Sequence, residues 1–180
     1  GLSEWPSIRM GLETAVFDVL NGGDRRIFEN SFLEGSPIPI NGLIWMGEKD
    51  FMLDQVKVKL KSGFTTIKMK IGSSDFEKEL EIIKLIRDKF DSNRITIRVD
   101  ANGAFSFREA SEKINRLSEY YIHSIEQPIQ AGNFEKMEVL CRETKVPIAL
   151  DEELIGVLTL DNKKKLLDSI KPQYIILKPS

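Results

Sequence analysis

Six charged residues recur along this chain at intervals that a repeating fold would set. They are Lys68 and Lys70, then Asp100, Glu126, Asp151 and Lys178. From Lys70 onward the gaps run from 25 to 30 residues, close to one strand, one helix and their loops. Each charge closes an apolar or β-branched run: TTIKMK, ITIRVD, YIHSIE, IALD and YIILK. Pro128 follows Glu126 by two residues and cannot donate to a sheet ladder, so that strand must end at the carboxylate. Three carboxylates drawn into a partly dry pocket repel one another, and must protonate or take up a cation. An all-oxygen set favours Mg²⁺, with Mn²⁺ as a substitute, over zinc. Lys70 on one side and Lys178 on the other would flank a substrate bound there. A lysine crowded by a dication and by a second lysine should have a lowered pKa and could abstract a proton near neutral pH. Any one such charge is most simply solvated, as are Lys-x-Lys or Asp151-Glu152-Glu153 taken alone. The argument rests on the ordered set, phased to successive strand ends.

The elements that would position these residues alternate regularly. An initial helix spans Pro6 to Leu20, with Pro6 in its first turn and Asn21-Gly22-Gly23 ending it. Strands are expected at 38–46, 64–71, 95–100, 122–126, 148–151 and 174–178. Helices are expected at 50–60, 75–90, 106–117, 133–142 and 161–169. Ser106 and Glu109 stand in capping-box spacing. Six strands alternating with five helices imply a parallel sheet with right-handed crossovers. Doubly wound sheets and (β/α)8 barrels both meet that description. No GxGxxG turn or GxxxxGK[ST] loop is present, which counts against a nucleotide-binding sheet. Strand parity puts Lys68 and Lys70 on one face and Ile67, Met69 and Ile71 on the other. Arg98 shares a face with Asp100, Ser124 with Glu126, and Ile176 with Lys178.

Composition narrows the classes of function. The 180 residues carry a formal net charge of −2, which favours neither nucleic acid nor an anionic membrane as a partner. No run approaches the roughly 18 apolar residues of a membrane span. A single cysteine, Cys141, allows no intrachain disulfide and suits a reducing, cytoplasmic setting. His123, Trp5 and Trp45 read as packing or surface residues rather than ligands, and Cys141 as a buried, inert thiol.

These motifs resemble the enolase superfamily, in its muconate-lactonising-enzyme subgroup. The carriers are KMK at 68–70, RVDANG at 98–103, IEQPI at 125–129, ALDEE at 149–153 and LKPS at 177–180. The leading helix PSIRMGLETAVFDVL adds to the match, and NGLIWMG, RVDANGAFS and HSIEQPI are most similar to the o-succinylbenzoate synthase branch. The resemblance implies an α/β fold, a TIM-type (β/α)8 barrel, here cut to about six units. Residues 1–35 would be a helix and linker leading into residues 36–180, a partial barrel with its capping domain largely missing. It implies Mg²⁺ on Asp100, Glu126 and Asp151, with Lys70 as the base that removes a proton α to a carboxylate. Lys178 would act from the opposite face, Lys68 would neutralise the substrate carboxylate, and Asn102 would contact substrate. Glu152 and Arg98 would brace the ligands. The implied reaction is a syn dehydration forming o-succinylbenzoate in menaquinone biosynthesis, on a small carboxylate; a homo-oligomer is compatible with it. Racemisation of N-acylamino acids, dipeptide epimerisation and cycloisomerisation use the same residues. A full barrel takes about 250 residues, so the chain is expected to be a fragment, and an inactive fragment is the reading from another class.

Overall fold

The computed structural model describes residues 2–73 and 75–178 and divides the chain into two compact units. One is Gly1–Pro39 with Leu177–Ser180; the other is Ile40–Ile176. In the first unit, α1 covers Pro6–Leu20, as the spacing predicts, with Asn21 Nδ2 donating to Phe17 O at 2.7 Å to close its end. Phe17 and Phe28 pack with ring centroids 6.0 Å apart. The apolar stripe of α1 is present but open: Ile8, Leu12, Val16 and Val19 are exposed, and no residue of the helix is buried. A unit this small offers the stripe no second layer to pack on.

The second unit holds the alternating fold. Strands β1 (Gly42–Ile44), β2 (Thr66–Lys70), β3 (Thr96–Asp100), β4 (Ser124–Glu126), β5 (Ile148–Leu150) and β6 (Tyr174–Ile175) form one sheet. Every neighbouring pair is parallel, and the spatial order follows the chain order from β1 to β6. Five helices connect them: α2 (Lys49–Lys61), α3 (Phe76–Arg87), α4 (Phe107–Ser118), α5 (Phe134–Glu143) and α6 (Leu160–Ile170). The strands are shorter than their apolar runs. The first loses its upstream half because Pro39 has no N–H to give a ladder.

Parity sorts the core as expected. Ile67, Met69, Ile97, Val99, Ile125 and Ile148 are fully buried, against Leu80 and Ile83 of α3, Ile114 and Leu117 of α4, and Met137 and Leu140 of α5. Helix starts are satisfied locally. Asp75 accepts from Glu77 N at 3.0 Å, Asn133 from Lys136 N at 3.4 Å and Thr159 from Asn162 N at 3.2 Å. The Ser106 N–H donates to Glu109 Oε2 at 3.3 Å, the return half of the capping box. At the upstream ends of β3 and β4, Arg87 donates to the carbonyls of Ile95, Tyr120 and Tyr121. Trp45 is exposed, and His123 stacks on Tyr174 with ring centroids 5.0 Å apart. Among the described residues, no helix is long and apolar enough to cross a membrane.

Cys141 lies buried on α5, and burial pushes its thiol up to about 12, with the Glu138 charge adding to the effect. At pH 8 only about one thiol in 10⁴ would then be ionised, and the thiolate is the reactive form. A thiol reagent at pH 8 should leave the native protein unlabelled and label it stoichiometrically in 6 M guanidinium (about that concentration unfolds even very stable domains). Rapid labelling of the native protein would show that this packing opens.

Candidate functional site

The sheet register decides which charges meet. Lys70 pairs with Asp100, Asp100 with Glu126, and Glu126 with Ala149. Lys70, Asp100 and Glu126 therefore stand side by side at the downstream tips of β2, β3 and β4. Asp151 lies two residues past Ala149, in the turn that starts the 3-10 helix Glu152–Leu154. It keeps the parity of Glu126 but sits one pleat further along its chain. Lys178 is an exposed residue in the segment Leu177–Ser180 of the first unit. Pro179 and Ser180 of the LKPS motif lie outside the described residues.

At the β2–β4 tips two cations and two anions interlock. Lys68 Nζ lies 2.9 Å from Asp100 Oδ2 and 2.7 Å from Glu126 Oε2. Lys70 Nζ donates to Asp100 Oδ2 at 2.7 Å and to Asn102 Oδ1 at 2.6 Å. Asn102 Nδ2 in turn donates to Glu152 Oε1 at 2.9 Å, which fixes the amide with its oxygen toward Lys70. The carboxylates are nearly sealed, Asp100 at 0% and Glu126 at 4% exposure, while both lysines keep partial access to solvent. Burial pushes the Asp100 carboxyl up, but Lys70 and Lys68 outweigh it and hold the group below the ordinary carboxylate range. Glu126 goes the other way: burial, helped by the Asp100 charge, raises it despite Lys68. Burial works against the Lys68 charge too, yet Glu126 and Asp100 prevail and raise it.

The loops after the strands form a second tier. Gly103 sits at φ 74°, where a Cβ would come within 3.1 Å of Gln130 Cα, and its N–H donates to Gln127 O at 2.7 Å. The loop after β3 thus rests on the loop after β4. Glu79 of α3 accepts from Gly72 N at 2.8 Å and steadies the exit of β2. Arg98 points from β3 toward the same interior, but among the described residues its Nε has no hydrogen-bond partner. Two residues outside the expected set also matter. Gln127 and Glu153 are buried polar side chains that bond across the tips of β4 and β5. Gln127 lies inside the IEQPI motif, and its burial is the signal that spacing alone does not carry.

These residues suit a hard divalent cation by chemistry: oxygen donors only, on adjacent strands. One donor atom, Glu126 Oε2, is buried and accepts no well-directed hydrogen bond even though the Lys68 ammonium is near. Among the described residues no three acidic, histidine or cysteine side chains converge as a finished chelate. Lys68 instead supplies the positive charge between Asp100 and Glu126.

Comparison with known proteins follows the same lines. Residues 52–165 match the family model described as enolase C-terminal domain-like. The chain is 48% identical over 177 residues to the o-succinylbenzoate synthase of Desulfotalea psychrophila, covering 98% of this chain and 48% of the relative. It is 27% identical over 149 residues to a hydrophobic dipeptide epimerase of Enterococcus faecalis, covering 82% of this chain and 41% of the relative. The crystal structure of MenC from Desulfotalea psychrophila superposes with a TM-score of 0.86 at 46% identity, over 97% of this chain and 48% of that one. The chain spans about half the length of the curated relatives it matches. With the parallel sheet of alternating units, the charged row at its downstream tips and the match over residues 52–165, the chain belongs to the enolase C-terminal domain-like family.

Proposed function

We propose that the protein carrying this chain is an o-succinylbenzoate synthase, a Mg²⁺-dependent dehydratase of menaquinone biosynthesis acting in the cytoplasm. One observation carries the reading: two lysines and two sealed carboxylates meet at the downstream tips of three adjacent strands. Likeness to the Desulfotalea psychrophila synthase supports this reaction over epimerisation. Bound at Asp100, Glu126 and Asp151, Mg²⁺ would supply positive charge to the substrate carboxylate as negative charge builds on it. Lys70 breaks the C–H bond α to that carboxylate by accepting the proton at Nζ. The electron pair left behind expels the hydroxyl of the cyclohexadiene ring, and Lys70 returns its proton so that water leaves. The ring becomes aromatic, which makes the second step downhill. Lys68, which reaches both carboxylates, offsets the negative charge of the incoming substrate. Asn102 holds Lys70 in line through its side-chain oxygen. Lys178 enters this reading as the second amine on sequence grounds alone.

The test uses the full-length protein with Mg²⁺, the hydroxyl-bearing cyclohexadiene carboxylate, and N-succinyl amino acids in parallel. Formation of the aromatic product should dominate, followed by its ultraviolet absorbance. Dominant racemisation with negligible dehydration would reject the assignment.

A further inference from the structure

Gln127 is fully buried, and its backbone sits at φ 38°, a region that side-chain-bearing residues rarely adopt. Such a conformation persists only where the surroundings over-determine it. Its amide has two partners on each atom. Oε1 accepts the N–H groups of Asp151 and Glu153, each at 3.2 Å. Nε2 donates to Ile129 O and to Glu153 Oε2, each at 3.0 Å. One side of the amide meets donors alone and the other acceptors alone, so a flip would break all four contacts. Its backbone joins in: Gln127 N donates to Ala149 O at 2.9 Å, while Gln127 O accepts from Gly103 N at 2.7 Å. Glu153 adds a further tie by accepting from Gly132 N at 2.8 Å. A single residue therefore links the loop after β3, the tip of β4 and the turn after β5. The loop follows directly on Asp100, and the other two segments carry Glu126 and Asp151.

We infer that Gln127 is a positioning residue for the cation site: its amide oxygen fixes the backbone of the turn that carries Asp151 against the tip of β4 that carries Glu126. The inference rests on the metal-site reading above and names the device behind it. A helix-capping or turn contact would need one bond here. The fourfold amide instead fixes the β5 turn, which the sheet ladder no longer controls, because β5 ends at Leu150. Ordinary sheet pairing sets Asp100 and Glu126; Gln127 takes over that role for the third ligand.

The experiment measures Mn²⁺ binding to the full-length protein by electron paramagnetic resonance, for wild type, Gln127→Met and Gln127→Asn. Met keeps the volume without the amide, and Asn keeps the amide without the reach. Both should keep the wild-type circular dichroism spectrum and weaken Mn²⁺ binding by about 10–100-fold, the range for losing a group that orients a ligand. In the metal-free protein, amide exchange at Asp151 and Glu153 should speed up while Ile97 and Val99 stay protected. Exchanging the pair, Gln127→Glu with Glu153→Gln, keeps an acceptor for both N–H groups and should recover most of the affinity. Folded variants that bind Mn²⁺ as wild type does would overturn the inference, and so would failure of both single variants to fold, since that marks a residue needed by the fold itself. Wild-type protein that binds no Mn²⁺ would instead sink the metal-site reading.

Discussion

Lys70→Ala in the full-length protein lowers turnover by about 10²–10⁴-fold, the usual contribution of a positioned general base. The loss should fall on kcat, because Lys70 acts on the proton in the transition state and not in holding the substrate. Substrate recovered after incubation in D₂O gives an independent readout: wild type should wash deuterium into the α position, and the variant should not. Structure predicts little collateral damage. The Lys70 side chain is part-exposed, and removing it leaves Asp100 still paired with Lys68 at 2.9 Å. Turnover within a few fold of wild type would remove Lys70 from the chemistry.

Lys68→Met has its largest effect on stability, and added metal should offset it. Without Lys68, buried Asp100 keeps its ion pair with Lys70, while buried Glu126 loses the ammonium 2.7 Å from it. Breaking a buried pair by removing one partner costs about 3–5 kcal/mol, and the part-exposure of Lys68 puts this case near the lower end. For a domain of this size, about 3 kcal/mol lowers Tm by roughly 6–12 °C. Added Mg²⁺ should recover more Tm in the variant than in wild type, because the cation no longer competes with an ammonium for the same oxygens. Calorimetry with and without Mg²⁺ checks both parts. An equal Mg²⁺ response in the two proteins would mean that Lys68 and the cation do not share those ligands.

The order of elements was legible because it depends on local chemistry. Proline at the head of α1, the capping pair Ser106 and Glu109, and period-two alternation around Lys68 and Lys70 all act within a few residues. Strand ends were less legible. Where β6 stops depends on its partner β5, so it came out shorter than its apolar run, although Ile176 N still donates to Leu150 O at 2.8 Å. Gln127 escaped notice for the same reason: its partners are Asp151 and Glu153, brought near only by folding.

From its residues alone the chain declared a parallel α/β fold of alternating units. It also declared which face of each strand is charged, and a row of lysines and carboxylates at the strand tips. Those properties follow from side-chain type and period, which no distant contact can alter. Only the folded sheet decided that Lys70, Asp100 and Glu126 stand level while Asp151 lies one pleat beyond. It also decided that Lys68 bridges two carboxylates and that a buried glutamine ties three loops together. Register and burial are relations between strands, and spacing along a chain leaves the stagger between neighbours undetermined.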